Sequence, residues 1–339
     1  MDLREKYEAE EIERLSEYAC KACESKGRAV PENKSEIRTE FQRDRDRIIH
    51  SKSLRRLMHK TQVFLAPEGD HFRTRLTHTL EVSQIARSIS KGLDLNEDLT
   101  EAIALGHDLG HTPFGHIGET FLNERYPGGF RHNEQSLRVV DVIDRNSDGR
   151  PMNLTAEVRD GIVNHTGPTI PFTLEGQVVR FSDRIAYINH DIDDAIGAGI
   201  ISRSDLPEDC VKVLGVSHGK RIDFLVKDLI AESTGKSAIA QSEEASFYMS
   251  KLRDFMFENV YRNPRVRVAT EVEKIEHLVN SLYDYYLKHL DQIPDEYKFI
   301  IERDGAETAV KDHIAGMTDR YAINESTRLF VPAEWSVIK

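Results

Sequence analysis

Apolar residues recur at helical spacing along almost the whole chain, and that period constrains the fold more than any other feature. The stretches 6–27, 40–60, 73–92, 96–109, 133–145, 155–165 and 175–198 read as helices, followed by weaker ones at 220–233, 245–262, 270–290 and 306–316. Segment 62–75, with Pro67 and Gly69, reads as a loop. An all-α fold is therefore expected. The chain has 339 residues, 39% of them hydrophobic, enough to bury one extended core or two smaller ones without disulfides or a structural metal. Any metal would serve chemistry.

That chemistry concentrates in the run ALGHDLGHTPFGHIGE, residues 103–119 less the first isoleucine. A histidine followed by an aspartate is commonly a surface pair. Here His107 and Asp108 stand with His111, His116 and Glu119, interleaved with Gly106, Gly110, Gly115 and Gly118, which let backbone approach closely. With Asn96 as the N-cap and Gly110 and Pro113 as the stop, His107 and Asp108 fall in the last helical turn, and the loop that follows carries His116 and Glu119. His78 shares a stripe with Arg75, Val82, Ile85 and Ile89 and so faces inward. In the 175–198 helix, Asp183, Tyr187 and Asp191 repeat every four residues beside an apolar stripe, flanked by Arg184 and His190. An isolated helix would turn such a ladder to solvent, but this composition also suits a pocket wall.

The remaining bulk features exclude several classes. A net charge of -12 disfavours a general nucleic-acid surface while permitting a small anionic substrate. Arginines and lysines between Arg38 and Lys60 form a local basic segment, part of it paired with Asp44 and Asp46. The apolar positions within it dock it on the core, which would fix several guanidinium groups in place. Cys20, Cys23 and Cys210 are too few, and odd in number, for a secreted disulfide framework. No second Cys or His pair completes a zinc site at the CxxC of Cys20 and Cys23. The charged opening MDLREKYEAEEIERL is unlike a targeting peptide, and no apolar run nears the roughly twenty residues of a membrane span, so a cytoplasmic protein with no membrane association is expected.

His78, His107, Asp108 and Asp183 make a mixed nitrogen and oxygen donor set suited to a divalent ion such as Mn, Fe, Co, Ni or Zn, with Mg admissible if waters complete its sphere. Such an ion activates water and neutralises charge at phosphorus. His116, backed by Glu119, has the make-up of a general acid held in place by a carboxylate.

The order His78, His107-Asp108, Asp183 reproduces the H…HD…D signature of HD-domain phosphohydrolases. The longer strings RTEFQRDRDRIIHSKSLRRLMHKTQVF, RTRLTHTLEV, GHDLGHTPFGHIGE and SDRIAYINHDIDDAI are similar to the deoxynucleoside triphosphate triphosphohydrolases, in particular the bacterial dGTPase-like branch, over residues 10–200. The resemblance implies an HD-domain helical bundle, residues 1–205 with the N-terminal basic helix, and a C-terminal helical extension, 206–339, packed on it. It also implies hydrolysis of a dNTP at the α-phosphorus to deoxynucleoside and triphosphate. By position, His111 and His132 would touch the α-phosphate, with Arg75, Arg184 and Arg253 on the phosphate chain. Tyr187 would pack on the sugar, Asp191 and Gln62 would hold the 3′ hydroxyl, and Tyr261 would complete the pocket. The resemblance further implies a homo-oligomer regulated by a second nucleotide or by single-stranded DNA. Two other readings stay open from residues alone: an HD phosphohydrolase of another phosphate ester, such as a nucleoside monophosphate or cyclic nucleotide, and a catalytically silent nucleotide sensor.

Overall fold

In the computed structural model the described residues are 1–62, 73–264, 266 and 268–332. Among them are sixteen α-helices and no strand, only isolated bridges such as Thr61 to Thr74. The all-α expectation holds. Most of the 62–75 loop lies outside the described residues.

Helix ends follow side-chain chemistry. Asn96 accepts from Leu99 N at 3.2 Å and opens the helix Glu97–Gly106, as its sequence position suggests. Thr74 and Thr77 cap each other reciprocally at the start of Arg75–Gly92, which fixes its register. Two expected long helices are shorter. The first ends at Arg14, where Leu15 turns extended, and only a single 3-10 turn, Ala22–Glu24, follows in place of the helix to residue 27. The stretch 40–60 breaks after Ile49, because Ser51 caps a new short helix, Lys52–Arg56. Helices Glu208–Leu214, Asp295–Asp304 and Asp319–Phe330 were not foreseen; each begins beside a Pro or Thr that interrupts the apolar period.

Two buried clusters organise the molecule. The larger packs Arg75–Gly92 against Leu174–Gly197 and Glu97–Gly106, and draws in helices as far as Val260. The smaller joins Phe114, Leu122 and Phe130 to residues from Ile275 to Ala322. Helix Ala269–Lys288 thereby lies along Gly115–Arg125, the helix that carries His116 and Glu119. No helix among the described residues is long and apolar enough to cross a membrane.

Candidate active site

Arg75 and His78 project from the first turn of Arg75–Gly92, and Asp183 projects from Leu174–Gly197, packed alongside. His78 Nε2 lies 3.1 Å from Asp183 Oδ1. His107 Nε2 is 3.9 Å from that oxygen and 3.7 Å from Asp108 Oδ1. His107 caps its helix and donates Nδ1–H to the Ala104 carbonyl at 2.6 Å, so the lone pair of Nε2 faces the carboxylates. That nitrogen is buried and has no hydrogen-bond partner. A buried lone pair between two carboxylate oxygens is satisfied by a cation, and the donor set therefore fits a divalent metal. Arg75 Nη1 holds the other oxygen of Asp108 at 2.7 Å and leaves Oδ1 free for the ion. Burial would raise the pKa of Asp108, but the charges of His107 and Arg75 hold it well below the usual carboxylate range.

The second group is assembled by backbone. Gly110 packs so closely on the helix His132–Arg138 that a Cβ there would meet Ser136 N at 2.1 Å, so only glycine allows the HD turn to dock. His132 thereby stacks on His111, ring centroids 4.7 Å apart. Phe114 then takes a left-handed φ of 61°, and Gly115 repeats it at 59°, starting the helix Gly115–Arg125 directly after the turn. His116 and Glu119 therefore stand on that helix, one turn apart, and not in a loop as expected; the left-handed pair redirects the chain sooner than Pro113 suggests. Glu119 Oε2 accepts from His116 Nδ1 at 3.1 Å, and Oε1 accepts from His132 Nδ1 at 2.9 Å. Burial would raise the Glu119 pKa, but these bonds and the His132 charge keep it strongly lowered, so it is an anion. Burial would lower that of His132, yet Glu119 raises it. His111, buried and near Arg75, is held neutral. A cleft of about 520 Å³ opens beside Glu119 and His132.

A third group joins Leu174–Gly197 to the C-terminal half. Asp191 is buried; its Oδ2 accepts from Tyr261 OH at 2.5 Å, while Oδ1 has no partner. Burial pushes the Asp191 carboxyl up to about 7. Helix Glu243–Met256 passes into a wider π turn at Phe257–Tyr261, which brings Tyr261 to Asp191. Burial and the Asp183 charge raise the Tyr187 phenol to about 12, while Arg184 and Arg253 lie close enough to act on it in the opposite sense. Gln62 Oε1 is a second buried acceptor without a partner.

Comparison with known proteins places this geometry. The HD domain model matches residues 75–188, which span all four proposed metal ligands, and the Phosphohydrolase-associated domain model matches 239–328. A Caldanaerobacter subterraneus protein named deoxyguanosinetriphosphate triphosphohydrolase-like is 56% identical over 99% of this chain and 98% of its own length. The chain belongs to that family. Relatives with the same name from Clostridium tetani and Clostridium perfringens are 48% and 49% identical, each over 98% of this chain and at least 97% of their own. The protein is thus an HD-domain phosphohydrolase with a helical fold and with His and Asp clusters that could hold a divalent metal.

The basic segment of this phosphohydrolase sits elsewhere than its sequence suggests. Arg38 pairs with Asp46, Arg43 and Arg47 with Glu32, and Arg45 with Asp98. Arg38, Arg43 and Arg47, with Lys52 and Arg55, line a groove of about 920 Å³ that contains none of the proposed metal or acid residues. Only Lys60 reaches the site; its buried Nζ donates to the His111 and Ala315 carbonyls.

Sequence reasoning missed two contributors. His165 caps Ala156–Asn164, donates Nδ1–H to the Ile162 carbonyl at 2.7 Å, and points Nε2 to within 3.3 Å of His132 Nε2. A single histidine on a short helix carries no signal, although its local geometry repeats that of His107. Asp319 opens the last helix, and its carboxylate accepts from Phe114 N at 2.9 Å and Thr61 N at 3.0 Å. It thereby supports the left-handed turn that sets His116. Asp319→Ala should strand both amides, lowering the melting temperature by a cost of about 1–3 kcal/mol per buried group. As a positioning residue it should also reduce kcat about tenfold, near 1.4 kcal/mol of barrier, with KM and bound metal retained. A lowered melting temperature with unchanged kcat would make it a purely structural contact.

Proposed function

We propose that this protein hydrolyses deoxynucleoside triphosphates at the α-phosphorus and releases deoxynucleoside with inorganic triphosphate. The observation that carries this is the juxtaposition of the His78, His107, Asp108 and Asp183 donors with the Glu119-anchored histidines across a shared edge, where His132 and His165 reach Asp108. The names of the relatives agree with it. When bound by those four residues, a divalent ion supplies an activated water and charge neutralisation at phosphorus. His111 and His132 flank the position of the α-phosphate. His116, exposed on its helix and oriented through Nδ1 by Glu119, presents Nε2–H for the departing 5′ oxygen. Arg184 and Arg253 beside Tyr187 provide positive charge for the phosphate chain, and Arg75 adds to it through its contact with Asp108.

Recognition of the sugar rests on the two buried acceptors, and discrimination against the ribo form on Tyr187. Asp191 Oδ1 and Gln62 Oε1 lack partners and call for a hydroxyl donor such as the 3′ OH. With Tyr187 against the sugar, a 2′ hydroxyl has little space. Each dNTP should therefore give deoxynucleoside and triphosphate by chromatography and phosphorus NMR, with the matching NTP cleaved at least about tenfold more slowly. Orthophosphate or pyrophosphate as the first product would place the water at another phosphorus. Efficient cleavage of a nucleoside monophosphate would favour the other phosphohydrolase reading. We also propose a homo-oligomer responsive to a second nucleotide or single-stranded DNA; the dNTP screen, run singly and in pairs, tests the nucleotide response.

A further inference from the structure

We propose that His111, His116, Glu119 and His132 form a second, inhibitory transition-metal site, selective for a borderline ion such as Zn²⁺. The silencing of turnover rests on the reading of His116 as proton donor; the binding does not. One donor atom from each of the four residues lies within 4.8 Å of all the others, and the group shares no residue with the His78, His107, Asp108 and Asp183 set.

The geometry centres on Glu119. Its Oε2 is 3.1 Å from His116 Nδ1, 3.2 Å from His132 Nδ1 and 4.0 Å from His111 Nε2. Donors around a tetrahedral zinc stand about 3.4 Å apart, given bond lengths near 2.0–2.1 Å. Of the three separations from Glu119 Oε2, two are already near that size and the third closes by about half an ångström, while the imidazole nitrogens, within 4.8 Å of one another, draw together by ring movement. His116 is 68% exposed on its side chain and has room to swing. His111 is 1% exposed and turns its Nε2 toward Glu119, so the ring is held at the cluster by the packing around it. Three imidazoles and one carboxylate favour Zn²⁺, Ni²⁺ or Cu²⁺ over Mg²⁺ or Mn²⁺.

Binding there replaces the protons now shared between Glu119 and the two imidazoles, and those protons leave to solvent. The His116 ring is then neutral, held through Nδ1 on the ion. Its Nε2–H is no longer an imidazolium proton and is too weakly acidic to protonate a departing alkoxide. The carboxylate that prepares the acid thus also makes it vulnerable to a metal.

The test separates the two sites with Asp183→Ala, which cripples the first set. This variant should still bind one Zn²⁺ per chain at micromolar concentration, measured by equilibrium dialysis and competition with a colorimetric chelator. Adding His116→Ala, an exposed position that leaves folding alone, should weaken that Zn²⁺ by at least about tenfold. Adding His132→Ala should abolish it, with circular dichroism confirming the helices. Wild-type protein loaded with Mn²⁺ should lose at least about ninety per cent of turnover on one further equivalent of Zn²⁺, with its manganese retained, as expected when a general acid is lost. No Zn²⁺ on Asp183→Ala, or equal binding by the His116 double variant, would overturn the site. Binding without inhibition would keep the site and overturn its effect. Absence of any dNTP turnover before zinc is added would instead count against the proposed function.

Discussion

Asp183→Ala should yield a folded protein that holds no Mn²⁺ where the wild type holds one ion, and whose turnover falls at least about a thousandfold. Asp183 is one of the two anionic donors in the proposed set, and its Oδ1 lies 3.1 Å from His78 Nε2 and 3.9 Å from His107 Nε2. Without it the remaining three donors leave one side of the ion open, and the charge neutralisation it provides, several kcal/mol, is lost; about 4 kcal/mol is a thousandfold. The fold should survive, because Asp183 is only half-buried and the apolar stripe of its helix, from Val178 to Ala195, packs independently of it. Elemental analysis beside a thermal melt checks both halves. Full manganese content in the variant would remove Asp183 from the ligand set.

His116→Ala should behave differently, keeping the metal and nearly unchanged KM while kcat drops on the order of a hundredfold or more. His116 meets the chain through Glu119 and its own helix, and its exposure means little packing is lost. The Glu119 to His132 bond persists in the variant, so the anion that orders the cluster stays in place. A substrate whose leaving group needs no proton, such as a nitrophenyl ester, should be cleaved at near wild-type rate by the variant. A near-normal rate on dNTPs at every pH would move the acid to another residue, with His111 the first candidate.

The proposed metal ligands were legible in the chain because they lie at marked positions of regular elements. His107 and Asp108 are sequential, His78 lies on the inward stripe of one helix, and Asp183 begins a four-residue ladder on another. The same ladder indicated Tyr187 and Asp191, and the structure buries Asp191 instead of turning it to solvent. The basic segment misled for a simple reason. Arg38 keeps to Asp46 within the segment, but Arg43, Arg47 and Arg45 find carboxylates from outside it, Glu32 and Asp98, which local charge counting cannot pair.

Local sequence determined which stretches are helical, where caps such as Asn96 and Thr74 begin them, and which side chains share a face, because each depends on neighbours within about a turn. Tertiary structure alone decided who meets across the chain. Tyr261 reaches Asp191, 70 residues away, and Asp319 reaches Phe114, 205 residues away. Gly110 decides the stack of His111 on His132 by admitting a backbone at contact distance, and a left-handed pair at Phe114 and Gly115 starts the helix of His116 and Glu119 early. These are matters of close packing and of buried groups finding partners, and the helical period carries no record of them.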